Sequence, residues 1–141
     1  MKLSILDQSV AIADKCQDQV INDTLNLSTI AEELGYSRFW ISEHHNHPTI
    51  IGTAPEILMA AIAAKTNKIR IGSAGIMLPH YSPFKVAEQF RVLNSLAPNR
   101  IDLGLGRAPG SDGRTALALN SNNREFSENF PSHVRDLIAW V

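Results

Sequence analysis

Four short runs of branched and aliphatic residues, Leu3–Leu6, Phe39–Ile41, Ile69–Leu78 and Ile101–Leu105, recur along this chain at nearly even spacing, and each reads as a strand. Counted from starts near Leu3, Arg38, Ile69 and Arg100, they lie 35, 31 and 31 residues apart. The intervals carry helical signals. Val20, Leu27, Ala31 and Leu34 share a period and run into Gly35, a helix stop. Thr53-Ala54-Pro55-Glu56 has the form of a capping box, and Ser82-Pro83 that of a cap with a first-turn proline ahead of Val86, Phe90 and Leu93. Strands alternating with helices at this spacing require right-handed crossovers and a parallel sheet. Two α/β architectures satisfy that: a small doubly wound sheet, or a (β/α)4 half of a TIM-barrel-like (β/α)8 fold. A length of 141 residues favours the first, since barrels rarely fall below about 200. The residues at the strand ends favour the second.

Beyond the fourth run, Gly110-Ser111-Asp112-Gly113 opens a polar excursion through Asn120–Asn123, and Pro131 starts a last amphipathic helix carrying Val134, Leu137, Ile138 and Val141. The composition, 44% hydrophobic and 19% charged with a net charge of −1, excludes disorder and offers no basic patch for nucleic acid or an anionic membrane. The longest apolar run, Ile57 to Ala64, is far short of the roughly 20 residues a membrane span needs, and Asp7 interrupts the first run too early for a signal peptide. One cysteine, Cys16, cannot form an intrachain disulfide. These features point to the cytoplasm.

In parallel α/β proteins ligands collect where strands end at their carboxyl side. Those positions are polar here: Asp7-Gln8-Ser9, Glu43-His44-His45-Asn46-His47, Pro79-His80-Tyr81 and Gly106-Arg107. Three imidazoles beside a carboxylate can act as acid and base, form a solvated loop or bind a metal. The H-x-H spacing of His45 and His47, with His80 nearby, leaves a metal-dependent barrel hydrolase as a distant alternative, but no second imidazole pair or downstream aspartate motif completes a ligand set, and no metal is assigned. Gly104 and Gly106 alternate with leucines, so one face of the fourth strand either admits a flat ligand or packs tightly on a neighbour. The glycines do not complete G-x-G-x-x-G, which argues against a dinucleotide turn. Small residues from Gly72 to Gly75 read either as a buried strand or as a second place where a planar ligand could lie close to backbone. Arg107 can offer a fork to phosphate or to an anionic ring, or stand as a surface arginine.

At Phe39-Trp40-Ile41-Ser42-Glu43-His44-His45, at Ile71 through Pro79, at Pro83 through Leu96 and at Gly104-Leu105-Gly106-Arg107, the sequence resembles the bacterial luciferase-like flavin-dependent monooxygenases. The resemblance implies a (β/α)8 barrel of which residues 1–141 are the N-terminal half of a single domain. It implies a reaction in which reduced FMN from a separate flavin reductase, with O2 as co-substrate, oxidises a small organic substrate. His44 matches the catalytic histidine. Ala74, Gly75 and Ile76 match the strand supporting the flavin ring, often through a non-prolyl cis peptide. Gly106 and Arg107 complete the cofactor-binding set. Gly106 stands where the luciferases themselves carry a reactive cysteine, so that thiol chemistry does not transfer.

The alternative to an enzyme is a non-catalytic half-barrel that self-associates. A half-barrel is expected to show two unpaired parallel edges and an apolar concave face, and therefore to form a homodimer.

Overall fold

The computed structural model describes residues 1–108 and 111–141. The first two strands are β1 (Ser4–Asp7) and β2 (Arg38–Ile41); the third and fourth runs are each divided, giving β3 (Arg70–Ser73) and β4 (Ile76–Met77), then β5 (Ile101–Asp102) and β6 (Leu105–Gly106). The main sheet has the order β1-β2-β3-β5, entirely parallel, and β4 pairs with β6, also parallel. The expected order and direction of the four runs are therefore found. Ser73 sits at the division: its hydroxyl donates to the Gly104 carbonyl (2.9 Å) and accepts from the Gly104 N–H (3.1 Å). The same carbonyl accepts from the Ile76 N–H (2.8 Å), from which the pairing resumes as β4 with β6.

The helices are α1 (Gln17–Glu33), α2 (Pro55–Lys65), α3 (Pro83–Leu96), α4 (Gly113–Leu119), α5 (Asn123–Glu128) and α6 (Phe130–Trp140), with a 3-10 turn at Leu78–His80. Gly35 ends α1 with φ +80, and the N–H groups of Gly35 and Tyr36 donate back to Glu32 and Ala31 at 3.0 Å each. The α1 face differs from the expected one. Val20 and Ala31 are buried, but Leu27 and Leu34 are exposed, because Thr24 and Ser28 turn inward instead. The capping box at Thr53 does not form either: Ala54 occupies the cap, with no side-chain bond, and Pro55 is the first helical residue. Ser82 does sit at the α3 cap, ahead of Pro83, though its hydroxyl makes no capping bond. The polar excursion folds into α4 and α5, with Asp112 capping α4 through the N–H groups of Arg114 and Thr115; Gly110 lies outside the described residues. On α6, Leu137 is buried while Ile138 and Val141 remain exposed.

Phe39, Ile41 and Ile71 are fully buried together with Met59 and Ile62 of α2, so strand alternation commits one sheet face to the helices. The opposite face is not the apolar surface the sequence led us to expect. It carries Arg38, Trp40, Arg70 and Asp102 beside Leu6, with Arg38 and Arg70 both paired to Asp102. Alternation within β2, β3 and β5 places these charges there as surely as it buries Phe39 and Ile71. Gly72 is required at this face, since a Cβ would lie 2.6 Å from the Trp40 indole nitrogen. Among the described residues no helix is long and apolar enough to cross a membrane.

Candidate active site

Parallel register aligns Asp7, Ile41 and Ser73, so the polar segments after these strands emerge at one end of the sheet. Asp7 is spent locally: one carboxylate oxygen accepts from the Ser9 N–H (3.1 Å) and the Thr24 hydroxyl (2.7 Å), fastening the first tip to α1.

Glu43 organises the second tip. It is 1% exposed, and a carboxylate so buried is stable only with donors around it. One oxygen accepts from the Met77 N–H of β4 (2.8 Å); the other accepts from the Tyr81 hydroxyl and faces His45 Nε2, both at 2.6 Å. Burial, then the hydrogen bond to Glu43, pushes the Tyr81 phenol far above its ordinary range, so Tyr81 is a fixed donor. Burial, then the charge of Glu43, raises the Glu56 carboxyl on α2. The ring of His45 meets that of His80 edge-on at 5.9 Å. Sequence reading marked Glu43 and Tyr81 as polar tips and missed their pairing. The available signal was an acid directly after an apolar strand, which has to find donors or lose the strand.

His44 is half-buried, with Nδ1 3.3 Å from the Ser42 hydroxyl and its ring 6.4 Å from that of His47. His47 itself is exposed and turned to Thr49. His45 and His47 thus serve different neighbours, and among the described residues no group of three His, Cys, Asp or Glu side chains could hold a metal ion. Asn46 closes the loop outward, donating to the Thr115 hydroxyl (3.0 Å) and Asp112 (3.3 Å). Bonds from the Thr115 side chain and backbone, then from Asn46, hold the Asp112 carboxyl down at about 2.

Four of the five cofactor-binding candidates, Ala74, Gly75, Ile76 and Gly106, come together. The Ala74–Gly75 peptide is cis, the Ala74 N–H donates to the Ile41 carbonyl (2.8 Å), and Ile76 and Met77 pair with Leu105 and Gly106. The two glycines on this patch have different reasons. Gly75 is crowded, since a Cβ would approach the backbone of Gly104 and Leu105 to 2.9 Å. At Gly106 a Cβ would meet nothing nearer than 3.6 Å, so packing does not demand glycine there. Tight packing also accounts for Gly104, where a Cβ would fall 2.2 Å from the Ser73 carbonyl oxygen. Ile76 is 3% exposed, and its N–H donates to the Gly104 carbonyl (2.8 Å), so it lies beneath the patch. Arg107 is exposed and turns toward α5, its Nε donating to the Ser127 carbonyl (3.1 Å), the one hydrogen bond of its guanidinium among the described residues.

Comparison with known proteins shows the family and the fold. The family model described as luciferase-like monooxygenase matches residues 1–128. The N-acetyl-S-alkylcysteine monooxygenase of Bacillus subtilis (strain 168) is 45% identical over 141 residues, which are all of this chain and 42% of that protein. A luciferase-like monooxygenase of Escherichia coli (strain K12) is 44% identical over 137 residues, 97% of this chain and 41% of that one. The crystal structure of apo-MsnO8 superposes with a TM-score of 0.90 at 40% identity, covering 98% of this chain and 41% of its own. The oxygenating constituent of 3,6-diketocamphane monooxygenase from Pseudomonas putida, solved in complex with FMN, shares the fold at 22% identity and a TM-score of 0.80, with 98% and 37% covered. The chain therefore spans about two-fifths of the length of these relatives, as a half-barrel does.

Proposed function

The chain belongs to the luciferase-like monooxygenase family, and from that premise we propose that residues 1–141 form the N-terminal half of a domain that uses reduced FMN and O2 to oxidise a small organic substrate. The observation that carries the reading is the β4–β6 pairing, preceded by the half-buried Ala74 and Gly75, uncrowded at Gly106 and tied by Glu43 to the loop bearing His44. These residues fit a flavin. Backbone at Ala74 and Gly75 beside the uncrowded Gly106 would receive the flat ring, with Ile76 beneath it, and the exposed Arg107 guanidinium, which makes one hydrogen bond among the described residues, suits an anionic edge or phosphate. When bound, the flavin supplies the electrons and the oxygen chemistry. The protein's part is to exclude water, orient the substrate and move a proton, the last assigned to His44.

A flavin reductase is the source of reduced FMN in this reading, and the cytoplasm is where the chain works. The partner is also a second copy of the chain. Exposed Ile57, Val92 and Leu96 along α2 and α3 support self-association on the helical side, away from the charged open sheet face.

Titration of FMN fluorescence tests the site. Binding by this chain alone is expected to be weak, because half the barrel is absent, and Gly106→Leu is expected to abolish it. Binding indifferent to Gly106→Leu would remove the patch from the flavin site. In a complete, active form His44→Ala should lower turnover by roughly 10²–10⁴-fold if it transfers the proton, and unchanged turnover would return His44 to an ordinary loop residue.

A further inference from the structure

The imidazoles of the second strand tip differ in what holds them. His44 Nδ1 lies 3.3 Å from the Ser42 hydroxyl, and a hydroxyl donates or accepts equally well, so either neutral form of the His44 ring fits its surroundings. His47 is exposed, with Nδ1 accepting from the Thr49 N–H (3.3 Å). His45 is held more firmly than either. Its side chain is 11% exposed, and Nε2 lies 2.6 Å from Oε1 of the buried Glu43.

The direction of that bond follows from the other partners of Glu43. The Met77 N–H donates to Oε2 (2.8 Å), and a backbone N–H cannot turn to accept. The Tyr81 hydroxyl donates to Oε1 (2.6 Å), and burial, then its bond to Glu43, keeps that phenol protonated. A buried carboxylate that takes a donor on each oxygen is an acceptor toward its third neighbour as well, so the ring hydrogen of His45 sits on Nε2. In a neutral imidazole a hydrogen on one nitrogen leaves the other as an acceptor. That other nitrogen, Nδ1, makes no hydrogen bond among the described residues, since both polar contacts of the ring, to Glu43 and to Tyr81, are made by Nε2.

We propose that Glu43 is a positioning residue that locks His45 in its Nε2–H form, so that Nδ1 of His45 is a second proton acceptor at the site, one residue along from His44. The proposal rests on the flavin reading for what the acceptor serves: His44, with two forms open to it, moves the proton, and His45, held in one form, takes it up. The imidazolium so formed faces the Glu43 carboxylate through Nε2 and is paired rather than stranded.

NMR correlation of the ring nitrogens with their carbon-bound hydrogens, on this chain alone at about pH 9, where an ordinary imidazole is neutral, distinguishes a protonated nitrogen from one with a lone pair. His45→Gln assigns the signals. The Nε2–H form of His45 is expected to exceed the other by about tenfold or more. Glu43→Gln should reverse that order: the carboxamide oxygen stays with the Met77 N–H, the carboxamide NH2 turns to Nε2, and the ring hydrogen moves to Nδ1. Tyr81→Phe keeps the Glu43 acceptor and should leave the Nε2–H form in place. A wild-type His45 with its hydrogen on Nδ1, or with both nitrogens protonated at that pH, overturns the proposal without any variant. An Nε2–H form that survives Glu43→Gln, or one reversed by Tyr81→Phe, overturns it too. In a complete, active form Glu43→Gln should lower kcat by about tenfold or more while KM is kept, and an unchanged kcat would remove His45 from the proton path. The NMR readout involves no flavin, so the failure of the flavin site and the failure of this lock are separable.

Discussion

Two carboxylates, at opposite ends of the same short sheet, gather the polar groups of this molecule in contrasting ways. At the carboxyl end Glu43 is surrounded by a backbone N–H, a phenol and an imidazole; toward the amino end Asp102 is surrounded by two guanidinium groups and an indole. Glu43 is 1% exposed and its hydrogen bonds tie β2 to β4, whereas the Asp102 side chain is 19% exposed and its partners remain half in water. The first is a buried knot of hydrogen bonds without a permanent cation. The second is a screened ion cluster with a positive excess. The first fastens the loop that carries His44, and the second fixes Arg38, Trp40 and Arg70 on the open face of the sheet.

The largest expected effect comes from cutting the buried knot. Glu43→Ala leaves the Met77 N–H without its acceptor and the Tyr81 hydroxyl and His45 ring nitrogen with only each other at 3.4 Å, at about 1–3 kcal/mol for each weakened or orphaned group. A total loss of about 3–5 kcal/mol by urea denaturation is expected, insensitive to added salt because the site is dry. A loss below about 1 kcal/mol would mean that water enters and that the two ends are alike after all. Gly104→Ala follows in size. Its methyl would meet the Ser73 carbonyl oxygen at 2.2 Å, a backbone atom that cannot step aside, so a loss of about 2–3 kcal/mol is expected. Gly106→Ala, two residues on, should be nearly neutral in the same denaturation experiment. Equal losses at the two glycines would put Gly106 back among packing residues and weaken the flavin reading.

The strand rhythm and the parallel order were legible because alternation and spacing are properties of neighbouring residues. Helix faces were less so: Leu27 and Leu34 fit the period of α1, yet Thr24 and Ser28 are the buried ones, Thr24 because Asp7 and Ser9 supply hydrogen-bond partners from 17 and 15 positions away. No local pattern encodes such a partner. The charged open face follows the same logic. Arg38, Arg70 and Asp102 each look like surface residues alone, and only the register of β2, β3 and β5 makes them one cluster. For the candidate site, the resemblance pointed to His44 and to Ala74, Gly75 and Ile76. The uncrowded Gly106 was distinguishable from the packed Gly104 only in three dimensions.

Asp102 gives a smaller, salt-dependent effect. Partial burial pushes its carboxyl up, but the hydrogen bonds from Arg70 and Trp40 and the two guanidinium charges outweigh that and hold it below the ordinary range. A carboxyl lowered in the folded state contributes stability that is fully present above its unfolded value of about 3.9 and is lost as pH falls through the folded one. Asp102→Asn should therefore cost about 1–2 kcal/mol near neutral pH, with the difference from wild type shrinking as pH falls below about 4. Added salt should reduce this cost while leaving that of Glu43→Ala in place. If salt reduces both equally, the distinction between a dry knot and a screened cluster fails.

Glu56 gives the smallest effect and probes the reach of Glu43. Its carboxyl is raised by burial first and by the charge of Glu43 second, so the folded chain holds a proton over a range where the unfolded chain has already released it. Stability therefore falls as pH rises from the unfolded value of about 4.3 through the folded one, and the cost persists above that. Gln cannot ionise and escapes this cost. Glu56→Gln should then be more stable than wild type near pH 7, by about 1–3 °C in Tm, and indistinguishable from it well below pH 4. The double variant with Glu43→Gln separates the two causes. If the charge of Glu43 contributes, the gain from Glu56→Gln shrinks in that background; because burial is the larger cause, more than half of it should survive. A gain that vanishes entirely would place a fixed negative charge on Glu43 as the dominant influence on α2, and the buried knot would then be an electrostatic centre as strong as the cluster at the other end of the sheet.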